Sequence, residues 1–221
     1  MGEPGRARRP AVRAAGGQPL AARRAAPLLS FVAALARAGG ALAQDVSVRG
    51  GDLLVASPEL GDPNFRHTVV LVIDHDDSGA MGIVVNRVAE VMSRDDLLAM
   101  LGLDGGGASV ETSVPVHDGG PVGREYGFVL HDAGYADATT THITDGIALS
   151  LGGDVLRAIG TSGGPRRYVI AFGYAGWGPG QLESELAEGA WVLAPAHEAL
   201  VFGGAGDDAW ERALAARYLD L

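Results

Sequence analysis

The chain has 221 residues, no cysteine and no lysine, and a formal net charge of −10. This predicts one domain of ordinary size without disulfides, and it excludes a cysteine nucleophile, a thiolate metal site and the lysine of a phosphate-binding P-loop. Seven of the seventeen basic residues lie in residues 1–43 with a single acid, so this segment carries +6 and the remainder −16. An acidic body repels a polyphosphate backbone, and nucleic-acid binding is therefore disfavoured.

An arginine-rich start and a short apolar run separate residues 1–45 from the predicted fold. Two arginines precede the run Ala26–Ala36, and the Ala-Leu-Ala sequence ending at Ala43 fits a small-x-small cleavage site. This order is typical of a secretory signal, and it predicts a mature chain that begins near Gln44 in the periplasm or outside the cell. The run is too short to span a bilayer. The alternative is a disordered extension on a cytoplasmic protein.

Residues 46–221 are predicted to form a single domain. Asp52–Pro58 is typical of a buried strand that a proline ends. His67–Asp74 is a nearly continuous apolar run, which is expected of a strand covered on both faces. Ala80–Asn86 is predicted to pair with it across the turn "HDDSG", where Gly79 is expected at positive φ.

The second half of the chain is a series of short predicted elements. Ser93 is the predicted N-cap of a helix, with Asp96 three positions later. Strands are predicted in "SVPVHD", "YGFVLH", "GIALS", "RYVIAFGYAG", "AWVLAP" and "EALVF", and helices in "GDVLRAIG" and "QLESELAEG". The first of these strands is predicted to end in a turn at Gly119, Gly120 and Pro121. A last helix, "DDAWERALAARYLDL", is predicted to be capped by Asp207 or Asp208. Its apolar face would consist of Trp210, Leu214, Tyr218 and Leu221. Because strands and helices mix without a regular βαβ alternation, the pattern predicts an α+β fold.

Three separated blocks of sequence resemble those of a known family. They are "LLVASPELGDPNFRHTVVLVIDHDDSGAMGIVVNR", "HDGGPVGREYGFVLH" and "GYAGWGPGQLESELAEGAWVLAP". In this order they resemble the signature blocks of the YqgE/AlgH family, and the resemblance covers about Gly51 to Leu221. It implies a compact mixed sheet with a small closed barrel-like portion surrounded by helices. Some members are called transcriptional regulators, but the resemblance implies no agreed enzymatic activity, cofactor or catalytic residues.

The third block contains the best candidate for a binding site. A predicted strand leads into glycines and then a helix, an arrangement that can hold an anion, but the spacing is not G-x-G-x-x-G and Pro179 removes one donor. A dinucleotide site is therefore disfavoured. The favoured interpretation is a packing motif that seats the helix on the sheet, with a buried indole; the alternative is a ligand or partner groove with an exposed one. The groove would comprise Tyr174, Trp177, Gly178, Gly180, Gln181 and Glu183.

Two further constellations are weaker candidates. His75, Asp76 and Asp77 have the chemistry of divalent-metal ligands. Adjacent residues of one turn seldom converge on a metal without ligands from elsewhere, which His117 and Asp118 would have to supply. A solvated hairpin is the simpler interpretation, and we expect no metal and no cofactor.

A serine hydrolase needs a nucleophile elbow. The nearest match surrounds Ser150, but an alanine stands where the motif has its first glycine, and His131 and His142 are bases only by conjecture. We therefore expect no catalytic residue.

The favoured interpretation is a non-enzymatic binding or interaction protein with a protein or small-molecule partner. The alternatives are a cytosolic transcriptional regulator and an enzyme with an unrecognised site.

Overall fold

The computed structural model describes residues 48–105 and 112–218. The strands are β1 (Asp52–Ala56), β2 (Val69–Asp76), β3 (Gly79–Val84), β4 (Val88–Ser93), β5 (Ser113–Asp118), β6 (Val122–Asp132), β7 (Thr141–His142), β8 (Ile147–Ser150), β9 (Tyr168–Trp177) and β10 (Trp191–Pro195). The helices are α1 (Arg94–Met100), α2 (Gly153–Ala158), α3 (Gln181–Ala187), α4 (Glu198–Val201) and α5 (Gly206–Ala215). The signal-like segment lies outside the described residues.

Strand β9 joins the two halves of the sheet. Its last residues pair with β3, which gives the order β10-β1-β2-β3-β9 on one side. Its first residues pair antiparallel with β6 and, on their other edge, parallel with β5. Gly173, at φ 78°, lies between the pairs with β5 and the pairs with β3, where the register with β6 also shifts. Because glycine tolerates positive φ, the strand can bend there and change neighbours.

The predicted α+β class is confirmed, but a closed barrel-like portion is not. In the described part of the chain, the end strands β10 and β7 each pair with one neighbour, so the curled sheet stays open. The ladder branches at β9 instead of returning to β10, and this branching is why it does not close. No helix of the described residues is long and apolar enough to cross a membrane.

Both faces of the central strands are covered. Side chains alternate along β1, so Leu53 and Val55 pack towards α5, whereas Leu54 and Ala56 pack towards α3. All four residues are fully buried. The continuous apolar runs predicted for β1 and β2 therefore reflect burial on two sides. A third cluster places α1 and α2 against β6 and β9.

Several local predictions agree with the structure. Gly79 has φ 133° in the β2–β3 turn. Ser93 caps α1, since its hydroxyl accepts the N–H of Asp96 at 3.0 Å. Gly119, Gly120 and Pro121 reverse the chain between β5 and β6.

The C-terminal region differs from the prediction in three respects. "EALVF" contains helix α4 instead of a strand; only one of its residues, Val201, is buried, and so short an apolar run carries no clear period. Helix α5 begins after Ala205 without a side-chain cap. It buries Trp210 as expected, but it ends at Ala215, and Tyr218 beyond it is exposed. Leu221 lies outside the described residues.

Candidate functional site

The glycine loop after β9 packs a helix against the sheet. Trp177 is only 4% exposed and forms an aromatic cluster with Phe65 and Trp191. Both indole N–H groups donate to one carboxylate oxygen of Glu185, at 2.9 Å from Trp177 and 2.8 Å from Trp191. The other oxygen accepts from Gln181 at 2.9 Å. The predicted groove requires an exposed Trp177, but the Trp177 indole is buried. Its contacts are those of a helix seat, in which the loop packs α3 against the sheet.

The backbone conformation of this loop accounts for the glycine at position 180 but not for the one at position 178. Gly180 has φ 71° and directly precedes α3, and this left-handed conformation favours a residue without Cβ. Gly178 is not among the positive-φ glycines of the described residues. Its N–H donates to the Gln181 side chain at 3.1 Å, which fixes the entry to the helix.

The predicted groove is also tied to the β2–β3 turn. Nε2 of His75 lies 2.6 Å from a carboxylate oxygen of Glu183 on α3. The backbone N–H of Glu183, and then the His75 ring, lower the pKa of the Glu183 carboxyl. Within the described ranges, no group of three or more His, Asp or Glu side chains is placed to hold a metal.

The structure brings Ser150 and His131 together, but as a buried network. Nε2 of His131 lies 2.9 Å from Oγ of Ser150, and Nδ1 lies 2.8 Å from the carbonyl oxygen of Asp132. Thr140 contacts the same serine hydroxyl at 2.7 Å. Ser150 and His131 are both fully buried, so this serine is not presented to a substrate from solvent. His142, the other conjectured base, is exposed on β7.

A different site lies where distant segments meet, and we call it the arginine cleft. It is lined by Asn64, Val84, Arg87, Asp118, Gly120, Pro121 and Arg124. These residues come from the β1–β2 loop, the end of β3 and the link to β4, the end of β5, the β5–β6 turn and the start of β6. The cleft has a volume of about 180 Å³, part of it open to solvent.

Asn86 and Arg87 clamp the β1–β2 loop that forms one wall of the cleft. The Asn86 side chain accepts the N–H of Val69 at 2.8 Å and donates to the carbonyl of His67 at 2.9 Å. The Arg87 guanidinium donates to the carbonyls of Asn64 at 2.7 Å and Arg66 at 3.2 Å. His67 has φ 56°, a conformation that non-glycine residues rarely adopt. The clamp therefore holds the loop in a costly but defined shape.

The opposite wall depends on a glycine turn pressed against β9. A Cβ at Gly119 would overlap the carbonyl of Gly173, and one at Gly120 would overlap the backbone of Tyr174. Gly120 also has φ 145°. Only glycine lets the two backbones approach this closely. Tyr174, one of the predicted groove residues, thus supports the back of the arginine cleft.

The arginine cleft contains more basic than acidic side chains. Arg124 is 64% exposed, and its only carboxylate partner in the described residues is Asp118, at the long distance of 3.3 Å. Asp118 also accepts the N–H of Gly120 at 3.3 Å. Two arginines and one aspartate line the cleft, so its lining carries a net positive charge inside an acidic body.

A buried histidine lies directly behind the cleft. His117 precedes Asp118 on β5 and is 5% exposed. Its Nδ1 has no hydrogen-bond partner among the described residues. Burial lowers the pKa of His117 to about 4, although a hydrogen bond to the backbone of Val85 opposes this shift. The ring is therefore neutral at neutral pH.

A family model described as AlgH-like matches residues 53–221. The chain belongs to the AlgH-like family. Among its relatives, a UPF0301 protein of Methylococcus capsulatus is 44% identical over 164 residues, covering 74% of this chain and 88% of the relative. A UPF0301 protein of Xanthomonas campestris is 40% identical over 169 residues, covering 76% of this chain and 89% of the relative. These matches confirm the family that the three sequence blocks indicate.

Two solved structures resemble this member of the AlgH-like family. The solution structure of the AlgH protein from Pseudomonas aeruginosa is 35% identical, with a TM-score of 0.63, and the match covers 76% of this chain and 87% of that one. A crystal structure from Corynebacterium diphtheriae has a TM-score of 0.60 over 75% of this chain and 85% of that one. At 20% identity it shows the fold alone.

The arginine cleft of this AlgH-like protein was not predicted from sequence. The first two of the quoted blocks supply its lining, and the third supplies the strand that supports it. Arg87 and Arg124 stand next to predicted turns, which is a weak signal of a site. Their convergence depends on contacts between segments far apart in the chain, and no local pattern carries that information.

Proposed function

We propose that this protein is a non-enzymatic binding protein and that the arginine cleft is its recognition surface. The ligand group is a carboxylate, carried by an acidic side chain of a protein partner. The observation that supports this proposal is the exposed guanidinium of Arg124, which lines the same cleft as Arg87 although the two come from separate segments. Guanidinium groups bind carboxylates through short, charge-assisted hydrogen bonds, often in pairs.

The size of the cleft favours a side chain over a cofactor. Pockets for whole small molecules commonly measure roughly 300–1,000 Å³, whereas the enclosed space of this cleft is only about 10 Å³. The carboxylate of a protruding side chain would contact so shallow a cleft at its mouth, and the remainder of the partner would lie on the surface around it. A shallow, charged contact of this kind suits protein recognition.

The charge of the body favours a single anionic group over a polyanion. Residues 44–221 carry −16, so a duplex approaching the cleft meets repulsion on all sides. For this reason we prefer the binding-protein interpretation to a regulator that contacts DNA. Titration of residues 44–221 with a labelled duplex at ~150 mM salt separates the two, because submicromolar binding with a steep salt dependence would favour the regulator.

The recognition proposal is tested by NMR titration of the full chain with the N-methylamide of N-acetyl-glutamate. The matched neutral ligand is the glutamine analogue. We expect saturable shifts at the amides of Gly120 and Gly123 for the acid alone, with a dissociation constant on the order of 1–10 mM, because exposed charge-assisted bonds supply only a few kcal/mol.

Two variants complete this experiment. Arg124→Gln should abolish the saturable shifts. Arg166→Gln removes an exposed arginine elsewhere on the surface and should preserve them. Equal responses to the acid and its amide, or unchanged binding by Arg124→Gln, would refute recognition by the cleft.

The N-terminal segment bears on the compartment in which the partner would be met. We propose export, with a mature chain beginning near Gln44 in the periplasm or outside the cell. Mass spectrometry of the N-terminus from fractionated cells tests this directly. An intact N-terminus recovered from the cytosolic fraction would instead place the partner in the cytoplasm.

A further inference from the structure

Strand β4 leaves an apolar edge of the sheet uncovered. Among the described residues it pairs with β5 alone. Val88 is 39% exposed and Val91 is 61% exposed, two of the few large apolar side chains with such exposure. An open, apolar edge strand is a template for pairing with another strand, and native proteins normally charge it, shorten it or cover it.

The backbone of β4 is arranged to accept such a strand. Val91 lies opposite Pro115, which has no N–H to donate. Three positions further, the N–H of Arg94 donates to the carbonyl of Thr112 at 2.8 Å, so the pair of Arg94 and Thr112 is a hydrogen-bonded one. Because hydrogen-bonded and non-bonded pairs alternate along an antiparallel ladder, Val91 belongs to a non-bonded pair and points its own N–H and C=O away from β5. These groups have no backbone partner in the described part of the chain.

We propose that the β4 edge pairs with the β4 edge of a second copy of this chain, antiparallel about a two-fold axis at Val91. In this register Val91 lies opposite its own copy, and Ala89 lies opposite Ser93. Val91 and its copy, the pair on the axis, exchange two N–H···O bonds. Their exposed side chains cover each other. The β-bulge between Val88 and Glu90 limits the paired segment to about five residues.

The charges at the ends of β4 identify the second copy as the occupant. Arg87 precedes the strand, whereas Arg94, Asp95 and Asp96 follow it in α1. Arg94 is buried and paired with Asp95 at 2.8 Å, so the exposed charge at this end is acidic. An antiparallel two-fold arrangement brings the basic end of each strand towards the acidic end of the other. Glu90 lies opposite Met92 of the copy, so no like charges face each other directly. The edge is thus self-complementary, as an isologous interface requires.

This inference goes beyond the proposed recognition function and does not depend on it. The pairing uses the backbone of β4 and the charges at its two ends, whereas the recognition of a carboxylate depends on the exposed side chain of Arg124. The short ladder buries little area, so association is expected at high micromolar concentration and not at nanomolar concentration.

Sedimentation equilibrium of the full chain tests the pairing between about 10 and 500 µM. The fitted mass should rise from 22.6 kDa towards twice that value. Val91→Pro should remain monomeric throughout, because proline removes the outward N–H but no bond to β5, and it is tolerated on an edge strand. Val91→Thr, the matched control, keeps the N–H and the β-branched shape and should still associate.

A second variant and a second readout keep the test decisive. Val91→Asp preserves the N–H but opposes two carboxylates across the axis, so it should also stay monomeric with an unchanged circular dichroism spectrum. Hydrogen exchange at the Val91 amide should slow as the concentration of the parent chain rises. A monomeric parent at every concentration would overturn the proposal, and so would association that both variants retain. Protection of that amide independent of concentration would show that another part of the same chain covers β4.

Discussion

The buried imidazole of His117 makes stability depend on pH in a defined window. The pKa of this ring is about 4 in the folded chain, against 6.5 when it is exposed, and burial is the main cause. As pH falls below 6.5, the His117 ring binds a proton in the unfolded chain, whereas in the folded chain it stays neutral until about pH 4. Stability is therefore lost as pH falls through this window, and it is unaffected by this ring well above pH 6.5.

The size of the effect follows from the two pKa values. At pH 5 the unfolded ring is almost fully protonated and the folded ring almost fully neutral. The resulting loss of unfolding free energy between pH 7 and pH 5 is about 2 kcal/mol. The carboxyls of Asp76, Asp132 and Asp137 have lowered pKa values, and their contributions are lost at lower pH.

Urea melts of the parent and of His117→Gln at pH 7 and pH 5 measure this term. Glutamine can still donate to the Val85 carbonyl but does not titrate, so every other pH effect is shared by the two proteins. We expect the parent to lose about 2 kcal/mol more than the variant between these pH values. Equal losses in both proteins would show that His117 protonates freely in the folded chain and would refute its burial as a neutral ring.

Three substitutions and one control test the packing. Glu185→Ala should cost on the order of 3 kcal/mol in urea melts, because two buried indole N–H groups lose their acceptor, whereas Glu188→Ala should change stability by less than ~0.5 kcal/mol; similar values for both would contradict the helix seat. Gly120→Ala should lower stability by about 3 kcal/mol or more, since its Cβ would overlap the Tyr174 backbone. Gly178→Ala, where the nearest atom is a flexible side-chain end at 3.8 Å, should shift stability by less than ~1 kcal/mol. A larger loss at Gly178 than at Gly120 would reverse the assigned roles of the two glycine turns.

Local patterns predicted most of the elements because the elements depend on local chemistry. The β-branched runs of β1 and β2 and the Ser93 cap are visible in a few residues each. Strand β4 was missed because both of its faces are largely exposed, so no alternation of apolar and polar residues marks it. The open sheet was missed because closure depends on which strands become neighbours of β9, and pairing partners leave no trace in a single strand's pattern.

The candidate site was harder to predict than the fold. The sequence favoured a packing role for the glycine loop, and the bonds from Trp177 and Trp191 to Glu185 account for that loop in physical terms. The arginine cleft requires the Asn86–Arg87 clamp to bring one loop beside another turn. That clamp consists of side-chain bonds to backbone carbonyls about 20 residues away, which residue type alone does not predict.

The guanidinium Nε–H signals of the arginines show directly whether the arginine cleft binds a carboxylate. The full chain is titrated with the N-methylamide of N-acetyl-glutamate. We predict that the signals of Arg87 and Arg124 shift together and saturate at the same ligand concentration. The signal of exposed Arg166 should drift only weakly and without saturation, and the glutamine analogue should move none of them. Parallel, unsaturated shifts of all exposed arginines, or equal shifts with the glutamine analogue, would contradict the assignment of the cleft as a carboxylate-binding site.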